Sequence, residues 1–245
     1  MAHTFTIDKN VVARSVMCVH PSSCVTCLSV SEDASVLVCG DADGLVAVYD
    51  LGVPCTLRRV LVGHSTAVTS VAVSNHMDVV LSGDAAGTAV VHSLSKGSVL
   101  HVFKPPALLD DFSVSVVSIG PACGEYLVGL SLPKSSLMRV FSHNGDVMAE
   151  APVPGQIMST AFSTCGRYVM IADSVTGVSI SLIHSMQMEF QLKVPSFDGK
   201  ALGNGDVGAG SAELSLCKSA GFTVDGTHAL VSLRSGGILV YCLPR

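Results

Sequence analysis

One short phrase recurs along the chain, and recurrence at that spacing restricts the fold more than any other feature. VTCLSVS begins at Val25, VTSVAVS at Val68, IMSTAFS at Ile157 and CKSAGFT at Cys217, with a weaker copy, VSVVSIG, at Val114. Successive copies start 43, 46, 43 and 60 residues apart. Blades of a β-propeller recur at about 40–45 residues. Three intervals fit or nearly fit, and the fourth carries an insertion.

Each of the four clearer copies leads into the same series of elements. A turn comes first (SEDA, SNHM, STCG, TVDG), then a short apolar strand: Val36–Cys39, Val79–Ser82, Tyr168–Ala172 and His228–Ser232. A glycine turn ends at Gly44, Gly87, Gly177 or Gly236, and a third strand comes next at Leu45–Leu51, Thr88–Leu94, Val178–Ile183 and Ile238–Leu243. Fourth strands read at Thr56–Leu61, Val99–Phe103, Val147–Val153 and Met188–Val194. A four-stranded meander cannot bury both faces alone, but stacked against its neighbours it can, so nearly continuous apolar strands are expected. Valine and isoleucine suit such pleated strands, and no segment carries a sustained helical period. The spacing predicts an all-β propeller of about five four-stranded blades over 19–61, 62–103, 104–153, 154–195 and 196–245. Residues 1–18 precede it, and Val11–Val19 would supply the missing outer strand of the fifth blade. The Gly- and Asp-rich stretch Ser196–Ser211 reads as a surface loop.

Composition agrees with a packed domain. Of 245 residues 49% are hydrophobic and 13% charged, the reverse of a disordered chain. The net charge is −5 and no Lys/Arg cluster exceeds Arg58-Arg59, so a phosphate-tracking surface is not expected. Apolar runs are short and interrupted, well below the roughly 20 residues of a spanning helix. The opening MAHTFTIDKN lacks the pattern of a signal peptide. The nine cysteines, odd in number and scattered, read as reduced small core residues of a cytosolic protein.

The second unit, VLVGHSTAVTSVAVSNHMDVVLSGDAAGTAVVHSL, resembles a WD repeat: Gly63-His64 stands at the Gly-His pair, and Tyr49-Asp50 of the first unit stands at Trp-Asp. The phrases VLVGHSTAVTSVAVS, FSHNGDVMAEAPV, IMSTAFSTCGRYVMIADSVTG and SAGFTVDGTHALVSLRSGGILVY resemble the C-terminal repeats of BEACH-domain proteins of the neurobeachin/beige type. That resemblance runs from about Val19 over most of the chain. It implies a large cytosolic protein with PH-like and BEACH domains, peripheral to endomembranes and acting in vesicle trafficking and membrane sorting. No BEACH or PH-like segment is recognisable here. The resemblance also implies a hydrogen-bonded His, Ser/Thr, Asp and Trp in each blade. The Trp positions hold Tyr49, His92, Phe141, Leu182 and Tyr241; the Asp position reads as Asp43 in the first unit and as Ala86, Thr176 and Ser235 elsewhere. On this alignment His64 lacks an acidic partner, no network is complete, and blade cohesion rests on apolar packing.

Each residue with chemical potential has a plainer reading. His64 is a turn histidine rather than a base. Cys24 and Cys27, three apart on a strand, diverge rather than forming a zinc half-site. His92 and His101 would face each other across a ladder as packing, not as metal ligands. Asp41, Asp43 and Asp84 suit turns better than a calcium loop. GNGDVGAG lacks the context of a phosphate cradle. No Ser/His/Asp constellation can be placed.

No catalytic, cofactor-binding or metal residue is assigned, and no cofactor is expected. The expected function is a non-catalytic scaffold for other proteins or peptides on a propeller face, with loop contacts at Arg58, Arg59, Lys96, Lys134, Arg139 and His143. The BEACH-type resemblance adds a BEACH domain of the full-length protein as partner. Nucleic acid and direct membrane insertion are not expected. Two alternatives stay open: a hydrolase using the central channel, and a truncated piece with exposed apolar blade faces.

Overall fold

The computed structural model describes residues 23–52, 54–105, 112–121, 124–133, 135–192, 217–223, 225–233 and 237–243. The Val11–Val19 closing strand, the Ser196–Ser211 loop, the Gly236 turn and Lys134 lie outside the described residues. Every regular element described is a strand, and each sheet is an antiparallel meander. Blade 1 contains β1 (Val25–Val30), β2 (Val36–Asp41), β3 (Leu45–Asp50) and β4 (Thr56–Val62); blade 2 contains β5 (Val68–Ser74), β6 (Val79–Asp84), β7 (Ala89–Ser93) and β8 (Val99–Phe103). Blade 3 contains β9 (Ser113–Ile119), β10 (Tyr126–Ser131), β11 (Ser136–Phe141) and β12 (Val147–Val153); blade 4 contains β13 (Ile157–Phe162), β14 (Tyr168–Asp173), β15 (Gly177–Leu182) and β16 (Met188–Leu192). Blade 5 has three described strands, β17 (Cys217–Phe222), β18 (His228–Leu233) and β19 (Ile238–Cys242). No helix among the described residues is long and apolar enough to cross a membrane.

The chain divides into two compact units, Met1–Leu109 and Asp110–Arg245. In the first, Val36, Val38, Val46, Val48 and Leu61 of blade 1 form one core with Val68, Val71, Val73, Val80 and Leu94 of blade 2. In the second, blades 3 and 4 share a core around Leu127, Met138, Val140, Val169 and Ile171, and blades 4 and 5 share one around Met170, Val178, Ile180, Ala229 and Val231. The middle strands therefore bury both faces, the condition for continuous apolar sequence. β6 is buried at all six positions and β7 at all five, while the outer β4, β8, β12 and β16 are largely exposed.

A bulge recurs near the start of the first strand, leaving Thr26, Thr69, Met158 and Lys218 out of register in blades 1, 2, 4 and 5. In blade 3 the register shift falls at Ser115. The opened ladder is closed by side chains where a hydroxyl is present. Thr26, Thr69 and Ser115 each donate to the carbonyl of the glycine opposite, Gly40, Gly83 and Gly129, all at 3.1 Å. Thr26 lies 2.5 Å from the Val68 carbonyl as well, tying blade 1 to blade 2. The glycines serve a second purpose. A Cβ on Gly40 would sit 2.5 Å from Val68 Cγ1, and one on Gly129 would sit 2.7 Å from Val116 Cγ1 and 3.0 Å from Ile157 Cδ1. Each is a notch that accepts the first residue of the next blade.

Polar turns add a staple between blades 1 and 2. Asn75 Nδ2 donates to both oxygens of Asp33, at 2.8 and 2.9 Å, and its backbone N–H donates to Glu32 at 3.1 Å. Hydrogen bonds from Ser31, Ser35 and Asn75 hold the Asp33 carboxyl well below the usual carboxylate range.

Two departures from expectation concern exposure. Cys39 and Cys217 are buried, but Cys24, Cys165 and Cys242 are exposed, so the cysteines are not uniformly core residues; all seven described are free thiols. Blade 1 exposes Leu28 (66%) and Val30 on β1, and blade 5 exposes Ile238 (70%) and Val240 on β19.

Candidate functional site

A polar arrangement sealed from solvent lies inside blade 2. The β6–β7 turn, Asp84-Ala85-Ala86-Gly87, is closed by its own first residue. Asp84 Oδ1 accepts the N–H groups of Ala86 (3.0 Å) and Thr88 (2.8 Å), and Gly87 takes a φ of 80° that favours glycine. The other carboxylate oxygen, Oδ2, lies 3.0 Å from His64 Nδ1. His64 Nε2 in turn lies 2.8 Å from Ser82 Oγ. With the Nδ1 proton donated to Asp84, Nε2 is left to accept the serine hydroxyl, which also lies 3.3 Å from the Val90 carbonyl. His64 therefore has its acidic partner. The expectation that it lacks one is corrected, because Asp84 and not Ala86 is the structural aspartate.

The same correction applies to Asp43. In blade 1 the structural aspartate is Asp41, fully buried, whose Oδ1 accepts the N–H groups of Asp43 (3.0 Å) and Leu45 (2.8 Å). Asp43 contributes its backbone only and its side chain is exposed. Blade 4 repeats the device with buried Asp173, which accepts the N–H groups of Val175 and Thr176, both at 2.7 Å, and the Thr176 hydroxyl. The equivalent positions in blades 3 and 5 are Ser131 and Leu233. The signal was present in the sequence: DAAG contains a single acid, so the shared aspartate is the first residue of the turn, not the third.

Gly63 and His92 complete the blade-2 cluster. A Cβ on Gly63 would lie 3.2 Å from His92 Cε1, so the Gly-His pair needs its glycine to let the imidazole approach. His92, at the Trp position, is buried; its Nε2 reaches the Val62 carbonyl at 3.3 Å and its Nδ1 has no hydrogen-bond partner. Burial, with a smaller push from His64, holds the His92 pKa below the usual histidine value, against the Val62 bond. His92 and His101 do not face each other: a register shift pairs His92 with Val99 and His101 with Val91. Tyr49 is buried against Cys39 and Ala47 in blade 1, and Asp50 lies 3.8 Å from Arg58.

Ser82, His64 and Asp84 have the connectivity of a hydrolytic triad. Their surroundings do not fit that chemistry. Ser82 is 0% exposed, and the side chains of His64 and Asp84 are 0% and 2% exposed, so no substrate carbonyl reaches the hydroxyl. The arrangement can hold a turn to two strands, and it leaves no nucleophile at the surface.

The expected contact residues are not all on loops. Arg58 and Arg59 lie on β4, where Arg59 Nη2 donates to the Ser95 carbonyl at 2.6 Å. Arg139 lies on β11, opposite Glu150 in the ladder, and Nε donates to it at 2.5 Å. Only Lys96 and His143, among the five described, sit in turns, and both are exposed; His143 Nδ1 lies 3.3 Å from Tyr126 Oη. Among the described residues no group of three or more His, Cys, Asp or Glu is placed to hold a metal ion.

Known proteins share the propeller architecture. A family model described as the Vps8 beta-propeller matches residues 10–144. No curated protein matches the chain. A solved structure, the Cps50 (Swd1) beta-propeller domain of Myceliophteria thermophila, superimposes with a TM-score of 0.69 at 15% identity, covering 94% of this chain and 68% of that one. At that identity the likeness is one of fold.

Proposed function

The chain belongs to the Vps8 β-propeller family, and from that premise we propose that it is a non-catalytic scaffold for protein–protein interaction. The observation that carries this reading is the inward use of its strongest polar chemistry. Asp41, Asp84 and Asp173 are buried in the turns they close, and Ser82 and His64 are sealed within blade 2. The solvent-facing parts are outer strands, turns and the apolar rows on β1 and β19, a surface suited to docking rather than turnover. A hydrolase built on Ser82, His64 and Asp84 would need them open to substrate, and their burial weighs against that form of catalysis.

The finer reading places the scaffold in vesicle trafficking and membrane sorting, peripheral to endomembranes, with other proteins or peptides as partners. The repeat phrases shared with BEACH-type proteins support it. A BEACH domain as a direct neighbour rests on those phrases alone. Lys96 and His143 are the contacts we retain as accessible; Arg58 and Arg139 are engaged within their own blades and Arg59 by the Ser95 carbonyl of blade 2. Proximity labelling in cells with the tagged chain tests the reading, with an unrelated propeller as control. Reproducible enrichment of trafficking proteins is expected. A folded, expressed chain with no enriched neighbour would overturn the scaffold reading, and enrichment confined to proteins of other processes would overturn the trafficking part.

A further inference from the structure

The strongest unassigned feature is a cavity of about 410 Å³ between blades 4 and 5. It lies where the first-to-second-strand turns of the two blades meet, at Ser163–Cys165 of blade 4 and Asp225–Gly226 of blade 5. The equivalent turns of blades 1 and 2 are drawn together by the Asp33–Asn75 hydrogen bonds. In blades 4 and 5 the turns touch at Thr164 and Gly226, where a Cβ on the glycine would lie 2.9 Å from Thr164 Oγ1, and the space opens beside that contact.

Its walls are apolar and aromatic, with Tyr168, Ile180, Phe222 and Leu243 lining it and Phe190 40% exposed at its edge. Asp225 supplies one fixed charge. Oδ1 accepts the Thr223 hydroxyl (2.5 Å) and the Thr227 N–H (3.2 Å), and Oδ2 accepts the Thr227 hydroxyl (2.6 Å). Those bonds, with a small contribution from His228, bring the carboxyl down to about 2, so it is an anion throughout the physiological range. On the opposite turn is Cys165, an exposed thiol whose pKa is lowered by the Ser163 hydroxyl, with weaker help from Arg167. Sites for small ligands and side chains measure about 300–1,000 Å³ and combine apolar walls with few polar groups. This cavity is at the lower end, the size for one or two side chains.

We propose that the cavity receives a linear peptide that sets a large apolar side chain against Phe190, Phe222 and Tyr168 and an adjacent Lys or Arg on Asp225. The aromatic walls supply dispersion and, for the basic group, cation–π attraction. The accessible carboxylate selects the sign of the neighbouring charge. The site rests on the scaffold reading but is separable from it, since proximity labelling reports partners wherever they dock.

Cys165 makes the site measurable. The full chain is alkylated with iodoacetamide in the presence of acetylated, amidated GLFRG, GLFEG or GAARG, and modification at Cys165 is followed by mass spectrometry. GLFRG is expected to slow the reaction several-fold at saturation, with little effect from GLFEG or GAARG. Asp225→Asn and Phe190→Ala should each remove protection by GLFRG while the chain keeps a single cooperative thermal transition. No protection by GLFRG, equal protection by GLFEG, or undiminished protection in Asp225→Asn would each overturn the proposal.

Discussion

At the residue scale, a buried aspartate closes a turn and holds a histidine, and blade 2 depends on both bonds. Asp84→Ala removes the acceptor of two turn N–H groups, on exposed Ala86 and half-buried Thr88, and of His64 Nδ1, whose side chain is sealed from solvent. The imidazole donor left unmade costs about 1–3 kcal/mol and the rehydrated turn less, so chemical denaturation should show a loss of about 2 kcal/mol or more. Ser82→Ala removes the partner of His64 Nε2 and a bond to the Val90 carbonyl and should cost about 1–3 kcal/mol. His92 has a pH signature. Its folded pKa lies below the unfolded value near 6.5, so the unfolded chain binds the proton more readily. The stabilisation is complete above the unfolded pKa and is lost as pH falls below it. His92→Phe should flatten the fall in stability between neutral pH and about pH 5, as read by denaturation at a series of pH values; an unchanged slope would remove His92 as the cause. The sequence showed where these residues were but not how they paired. DADG contains two acids, and reading the second as structural displaced the alignment by two positions in blades 1 and 2 and by three in blade 4. Burial separates them: Asp41 is enclosed while Asp43 is exposed.

At the scale of strands and blades, most of the architecture was legible. The VTSVAVS strand, Val99–Phe103 and Val147–Val153 occur with the bounds read from the sequence, and the other strands read there differ by one or two residues at their ends, while β10 and β11 of blade 3 had no counterpart in that reading. Repetition made this possible, since each blade checks the others. The bulge and notch were not legible, because a bulge leaves no change in apolar pattern and a glycine before an aspartate looks like part of the turn. The notch yields a test. Gly40→Ala drives a methyl to 2.5 Å from Val68 Cγ1 and should cost about 1–3 kcal/mol through overpacking. Val68→Ala in the same chain should recover part of that loss, a coupling expected of touching residues. Gly221→Ala, with nothing within 4 Å of its Cβ, is the control and should be neutral or slightly stabilising. Equal costs at Gly40 and Gly221 would mean that blade contact is not the reason for Gly40.

For the whole molecule, the family match and the solved propeller agree on the class of fold, while the two compact units are each held by shared blade cores. The exposed rows on β1 and β19 are surface features with a predictable effect. Leu28→Thr and Ile238→Thr should leave the melting temperature nearly unchanged and raise the concentration at which light scattering detects aggregation. Function was less legible than fold because the scaffold we propose has no reacting constellation to recognise, and the Ser82–His64–Asp84 triad found among the described residues is a turn clamp. That distinction is the central claim, and native-state labelling with a fluorophosphonate tests it most directly. The folded chain is exposed to the reagent and the modified serines are mapped by mass spectrometry, with Ser82→Ala as control. A turn clamp predicts that Ser82 stays unmodified in the native chain; selective modification of Ser82 under native conditions would contradict it and return the molecule to the hydrolases.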